Sequence, residues 1–241
     1  MQKYLIPFFL LGMTQVSANE NQLPFYVKFG VGQSYVKDVE AKHISDGGTF
    51  RRTMETNFDS SNLYNIGVGY KVNKFFNLEL NYLNSAKTDS EKMEYRFNGT
   101  LNTNRYYNST LKSQALMLTA LFDIAEYNDF DWKVRPYIGA GIGVSKNTAT
   151  LERRLISNDS LEYFSKKEDK YNFAYKGTIG AVYDITNNIA LDLSYSLADY
   201  GRAKAGKSWY DSSGNYGGEK EEAHNHDVIS QELLIAIRYS F

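Results

Sequence analysis

The feature that most constrains this chain is an alternation of period two that returns along most of its length. Eight segments of about 9 to 12 residues put apolar side chains at every second position and polar or small ones between them, the signature of a strand with two unlike faces. In the first, Phe25, Val27, Phe29, Val31 and Tyr35 share one face, and Tyr26, Lys28, Gly30, Gly32 and Ser34 the other. The second sets Tyr64, Ile66, Val68, Tyr70 and Val72 against Asn65, Gly67, Gly69 and Lys71. After a turn at Asn73-Lys74, the third sets Phe76, Leu78, Leu80 and Tyr82 against Asn77, Glu79 and Asn81. The fourth, residues 112–123, is almost wholly apolar over 115–122, with Leu116, Leu118, Ala120 and Phe122 on one face. The fifth, residues 134–145, opposes Pro136, Ile138, Ala140, Ile142 and Val144 to Arg135, Tyr137, Gly139, Gly141 and Gly143. The sixth, residues 172–185, turns at Thr186-Asn187-Asn188 into a seventh in which Ile189, Leu191, Leu193, Tyr195 and Leu197 alternate with Ala190, Asp192, Ser194 and Ser196. The eighth alternates Gln231, Leu233, Ile235, Ile237, Tyr239 and Phe241 with Glu232, Leu234, Ala236, Arg238 and Ser240.

Such segments have the length a tilted strand needs to cross the hydrocarbon layer, and past the N-terminus no apolar run approaches the roughly 18 to 20 residues of a membrane helix. Connections after the second, fourth and sixth segments are short or moderate. Those after the first, third, fifth and seventh run about 25 to 30 residues and are rich in charge, Asn and Ser, the asymmetry of short inner turns and long outer loops. The pattern predicts an all-β fold, an eight-stranded antiparallel up-and-down transmembrane β-barrel. Aromatic residues, 15% of the chain with Tyr the commonest, suit the two interfacial girdles of such a barrel.

Residues 1–18 read as a signal peptide: Lys3 precedes an apolar stretch over residues 4–13, and Val16-Ser17-Ala18 forms a small-residue cleavage site. Residues 19–241 are then the barrel domain with four long surface loops. The chain has no cysteine, so disulfides, thiolate metal sites and a lipoprotein anchor are excluded. The formal net charge of -1 becomes -2 once Lys3 is removed, which implies no nucleic-acid partner.

The candidate chemistry is sparse. His43, His224 and His226 all fall in expected loops, away from a wall that could aim them at Ser or Asp, so no catalytic residue is assigned. The run Glu221-Glu222-Ala223-His224-Asn225-His226-Asp227 alternates imidazoles and carboxylates but reads as a solvated loop, so no metal ligand and no cofactor are assigned. The sequons at Asn98, Asn108 and Asn158 follow from an Asn-rich composition. Arg51-Arg52, Arg153-Arg154 and Lys166-Lys167 could meet lipopolysaccharide phosphates or acidic glycans, but acidic neighbours favour ordinary solvated loops.

The lumen is more informative. Alternation points Lys28, Glu79, Arg135, Lys176, Asp192, Glu232 and Arg238 inward, a nearly balanced set that must pair in a barrel only wide enough for its side chains to fill. Counting from the strand ends predicts a lower network of Lys28, Glu79, Asp192 and Arg238, and a higher contact between Lys176 and Glu232.

The run Pro136-Tyr137-Ile138-Gly139-Ala140-Gly141-Ile142-Gly143 resembles the fifth strand of the OmpA/OmpX/Opa superfamily of small outer-membrane barrels and surface antigens. Leu191-Asp192-Leu193-Ser194-Tyr195 and the terminal Arg238-Tyr239-Ser240-Phe241 look like the same family, and spacing and charged loops are closest in style to Opa-type opacity proteins and Adr-type candidate adhesins of rickettsiae. No peptidoglycan-binding domain of the kind full-length OmpA carries is expected after Phe241. The resemblance implies an outer-membrane barrel with both termini periplasmic, an assembly signal at Tyr239 and Phe241 read by the barrel-assembly machinery, and outer-membrane lipids and lipopolysaccharide as surroundings. It also implies a surface antigen or adhesin that touches host-cell or serum proteins through loops 37–60, 84–109, 146–170 and 198–227, with Trp209 among the interface-type residues. The alternatives are a structural envelope barrel or narrow channel, and a lipid-modifying or proteolytic barrel enzyme.

Overall fold

The computed structural model describes residues 24–37, 39–44, 51–56, 58–90, 92–97, 100–128, 132–219 and 225–241. The signal segment 1–18, His224 and the turn residue Asp129 lie outside them. In chain order the elements are β1 (Phe25–Val36), β2 (Val39–Ile44), β3 (Arg51–Thr56), β4 (Ser61–Lys71), β5 (Phe76–Ser85), β6 (Thr88–Asp89), β7 (Met93–Phe97), β8 (Thr100–Asp123), α1 (Ile124–Tyr127), β9 (Val134–Leu155), β10 (Leu161–Ser165), β11 (Glu168–Asp184), β12 (Ile189–Lys204), β13 (Ser208–Asp211), β14 (Tyr216–Glu219) and β15 (Asn225–Ser240).

Eight of these strands form a closed antiparallel ring in the order β1, β4, β5, β8, β9, β11, β12, β15. β15 closes it by pairing with both β12 and β1, Lys28 standing opposite Arg238. Closure removes the free sheet edge that a spanning sheet cannot leave in lipid. At one end the wall strands are joined by tight connections. Asn73 accepts from the backbone N–H of Phe75 and Phe76, Thr186 from those of Asn188 and Ile189, and Asp123 caps α1 by accepting from the Glu126 N–H.

The alternation resolves as expected. Phe29, Val31, Ile66, Val68, Leu118, Ile142, Val144, Ile179, Leu193 and Ile237 all stand exposed around the outside of the ring. In water such a belt would be a large apolar liability; in a bilayer it is the lipid contact. Phe25, Tyr183, Tyr239 and Phe241 ring the tight-turn end, and Tyr35, Tyr64, Tyr82, Tyr175 and Tyr195 the other. Ten residue steps from Phe25 to Tyr35 at about 3.3 Å, tilted by about 40°, span about 25 Å, the height of an outer-membrane apolar band.

Beyond the second girdle the structure departs from the sequence reading. The segments expected to be long loops are largely strand: β8 and β9 extend far past the belt and stay paired from Arg105 opposite Leu155 to Asp123 opposite Tyr137. β10, β13 and β14 add a small sheet at the edge of β9, and β2, β3, β6 and β7 build onto β8. The reason is a second interior. Leu63, Leu83, Leu111, Met117, Tyr200, Val228 and Leu234 form a buried apolar cluster inside the ring, and Tyr107, Leu151, Ala205 and Trp209 continue it outward, with Tyr163 packed against them. The lumen expected to be polar is therefore mixed: buried Ser and Asn side chains such as Ser145, Asn147 and Ser230 share its upper part with the apolar cluster, and Leu121 and Val182 pack at the tight-turn end.

Candidate functional site

Two features of the molecule carry chemistry: a charge network inside the ring and the ordered β-platform at its extended end. The network draws one side chain from each of four wall strands. Lys28 Nζ lies 3.1 Å from Glu79 Oε2 and 2.9 Å from Asp192 Oδ2. Arg238 Nη2 lies 3.2 Å from Glu79 Oε1 and 2.6 Å from Asp192 Oδ2, with its Nε also donating to Asp192 at 2.9 Å. Each cation thus touches both anions, and all four groups are almost wholly withdrawn from solvent.

Burying charges is tolerable only when the remaining lone pairs are met as well. Here the hydroxyl of Tyr26 donates to Glu79 at 2.7 Å, that of Tyr137 to Asp192 at 2.7 Å, and the Asn81 amide to Glu79 at 3.1 Å. The guanidinium of Arg238 also faces both rings, 5.1 Å from the centroid of Tyr26 and 5.4 Å from that of Tyr137. Two glycines make the seats: a Cβ at Gly69 would fall 2.0 Å from the Tyr26 ring, and one at Gly180 would fall 2.5 Å from the Tyr137 ring. The alternation already put Tyr26 and Tyr137 on the inward face; what it could not supply is that their hydroxyls complete the carboxylate shells.

The other lumen charges distribute differently. Arg135 does not join the network. It sits at the tight-turn mouth, where it pairs with Asp184 at 3.0 Å and Glu126 at 3.1 Å, with Asp123 at 3.8 Å. Position 135 follows the first residue of β9, so its side chain reaches the turns rather than the barrel centre. Lys176 and Glu232 line one small central cavity of about 10 Å³, roughly room for a single water. They form no direct ion pair among the described residues; the hydrogen bond to Glu232 comes instead from the Tyr200 hydroxyl.

At the extended end, Trp209 is 4% exposed and meets Tyr107 edge to face with ring centroids 6.5 Å apart. The expectation that Trp209 is a surface anchor is thereby corrected: it is the core of the platform. The turn joining β13 to β14 is built by Asp211, whose carboxylate accepts from the N–H groups of Ser213 and Asn215, with Gly214 in the left-handed region at φ 84°. Arg105 forks onto Glu162 at 2.8 and 3.2 Å, and Arg153 reaches the same carboxylate at 3.1 Å while its guanidinium lies over Tyr163. Arg154 pairs with Glu152 at 2.9 Å. These arginines are committed within the sheet, whereas Lys166 and Lys167 are exposed. Tyr216, 61% exposed, closes a row in which Phe164 stacks on Tyr210 and Tyr210 meets Tyr216.

His226, expected in a solvated loop, is buried on β15 against Phe58, 5.3 Å between rings, with Nε2 unpartnered. Burial holds its imidazole down at about 4, Asp227 opposing only weakly. His43 lies on β2.

Comparison with known proteins agrees with this architecture. PagN, an outer membrane protein of Salmonella typhimurium, is 30% identical over 138 residues, covering 54% of this chain and 52% of PagN. A Rickettsia felis protein named "Putative adhesin" is 25% identical over 165 residues, covering 66% of this chain and 69% of that one. The chain therefore spans about half of PagN and about two thirds of the rickettsial relative. Among solved structures, the outer membrane protein OprG of Pseudomonas aeruginosa aligns with a TM-score of 0.56 at 14% identity, covering 91% of this chain and 97% of that one. The outer membrane protease OmpT of Escherichia coli aligns at 0.54 with 11% identity, covering 95% and 100%. At those identities both likenesses speak to the fold alone. A closed ring with an apolar belt, two aromatic girdles and a self-paired interior is what the outer membrane requires of a spanning sheet. The family model of the outer membrane protein beta-barrel domain matches residues 5–228, and the chain belongs to that family.

Proposed function

We propose that this protein is a surface adhesin, with the extended β-platform outside the cell, both chain termini periplasmic, and the barrel serving as its mount. One observation carries the reading: a large share of the chain is built beyond the lipid belt as paired strands around a buried aromatic core, Tyr107, Leu151, Ala205 and Trp209. A barrel that only spanned the membrane would have no use for that ordered surface. Rigid scaffolds that hold displayed side chains in place are how binding residues on connecting segments gain affinity. The adhesin name borne by the rickettsial relative supports the same reading, and the filled lumen favours it over a channel.

On this reading the ligands are host-cell or serum proteins, and the chemistry is binding, with no catalytic step. Outer-membrane lipids and lipopolysaccharide surround the belt, and the barrel-assembly machinery reads the end of β15, where Tyr239 and Phe241 face outward with rings 5.3 Å apart. The test is attachment. Cells of a non-adherent Gram-negative host expressing the full protein should gain attachment to host cells. A variant with residues 156–167 and 205–224 replaced by short turns should keep a folded barrel and lose attachment. Equal attachment by both variants would refute the proposal.

A further inference from the structure

Three connections join wall strands at the tight-turn end, and one is unlike the others. Four residues lie between Lys71 and Phe76 and four between Asp184 and Ile189, little more than a hairpin turn, whereas ten separate Asp123 from Val134. What the longer connection adds is apolar and exposed. It opens with α1, held by its Asp123 cap, by the burial of Ala125 and by the pair of Glu126 with Arg135 at the barrel mouth. With those residues committed, Tyr127 comes out on the lipid side. Its ring meets Phe122 at 5.1 Å between centroids and Phe75 at 5.6 Å, and Phe75 meets Phe122 at 5.7 Å. Phe122 has the outward parity of Leu116 and Leu118 and stands opposite Phe76 and Ile138, so the three rings continue the belt past the strand ends. Tyr127 is 58% exposed there. Trp132, 52% exposed, lies two residues before Val134, which is exposed opposite Tyr183 on the outer face of the wall.

We infer that this patch is a phospholipid contact site, a second aromatic tier in which Tyr127 and Trp132 lie among the glycerol and upper acyl segments of the leaflet around the tight-turn end and fasten the barrel on its β8–β9 side. Two arguments select lipid. Tyr and Trp favour the interfacial layer because the ring body is apolar while the hydroxyl or indole N–H stays wet, and both rings are exposed at the level where the belt ends. The patch is also continuous with the belt, since Phe122 and Val134 belong to both; a docking surface for a soluble protein would carry a polar rim of its own. Next to Trp132 the exposed Lys133 supplies an ammonium on a long stem, suited to the lipid phosphate above the rings. The site is independent of the adhesin reading; only the naming of the leaflet as periplasmic rests on that orientation.

The test uses the two tryptophans of the chain as opposites. The protein is refolded into phosphatidylcholine vesicles, with or without bromine near the top of the acyl chains; bromine quenches an indole that touches lipid, and acrylamide quenches one that touches water. Trp209, 4% exposed in the core of the platform, should respond to neither. The difference in emission between the protein and its Trp132→Phe variant therefore reports Trp132 alone and leaves the platform intact. That emission should be mostly lost in brominated vesicles and little changed by acrylamide. An indole placed by Tyr127→Trp in the Trp132→Phe background should behave in the same way. Each substitution exchanges one aromatic ring for another, so the fold is kept. Quenching by acrylamide but not by brominated lipid, at either position, would overturn the inference and mark the patch as facing water or a soluble partner. The assay reads lipid contact whichever end of the barrel faces out, so its failure is distinct from failure of the adhesin reading.

Discussion

Replacing Arg238 by alanine is the sharpest perturbation of the lumen. In the intact network two cations and two anions alternate, every cation within 3.2 Å of both anions. Without Arg238, Lys28 alone must serve Glu79 and Asp192, whose side chains are 3% and 0% exposed. The buried charge then shifts from neutral to one net negative, and water cannot screen it. Breaking a buried pair in this way costs about 3 to 5 kcal/mol. Arg202→Ala is the control: its pair with Asp227 is 66% and 59% exposed, and such pairs contribute about 1 kcal/mol or less. Urea unfolding of the protein in micelles, followed by the heat-modifiable shift on gels, measures both. The double variant Arg238→Ala with Asp192→Asn, which restores neutrality, should recover part of the loss. A loss for Arg238→Ala no larger than that for Arg202→Ala would refute the reasoning and show the lumen charges to be hydrated individually.

Trp209→Ala should remove about 3 to 5 kcal/mol of packing from the platform, seen as faster limited proteolysis of residues 156–219 while the barrel itself keeps its heat-modifiable shift. His226 should make the platform acid-sensitive. Its folded value of about 4 lies below the ordinary 6.5, so the stabilisation is full above pH 6.5 and is lost as pH falls toward 4, by up to about 3 kcal/mol. Protease susceptibility against pH should show that slope, and His226→Leu should flatten it. Deleting Phe241 should lower outer-membrane yield, measured by fractionation; unchanged yield would remove its part in assembly.

The wall was legible because lipid and lumen impose opposite demands on successive residues, so Phe29 and Lys28, or Ile237 and Arg238, declare their faces without help from tertiary structure. The same parity puts Lys28, Glu79, Asp192 and Arg238 on the inward face, where the ring is too narrow for such charges to remain apart. Depth was harder to read. Arg135 has the right parity but stands at the end of its strand, where the turn acids Glu126 and Asp184 are nearer than the network. The platform was missed because above the lipid neither face of a strand must be apolar: the run from Thr100 to Lys112 mixes Tyr, Asn, Thr and Ser and carries no lipid-facing signal. A signal did exist in Asp211-Ser212-Ser213-Gly214, a hairpin turn following Trp209, and in the inward parity of Leu111 and Leu151, which have no place in a purely polar interior.

The surface reading depends on which end of the barrel faces out, and the absence of cysteine makes that directly measurable. Single cysteines placed at Tyr216, on the exposed edge of the platform, and at Asn187, in a tight turn, can be tested on intact cells with a membrane-impermeant maleimide. The account predicts labelling of Tyr216→Cys on intact cells, with Asn187→Cys labelled only after the outer membrane is opened. Labelling of Asn187→Cys on intact cells with Tyr216→Cys protected would contradict it.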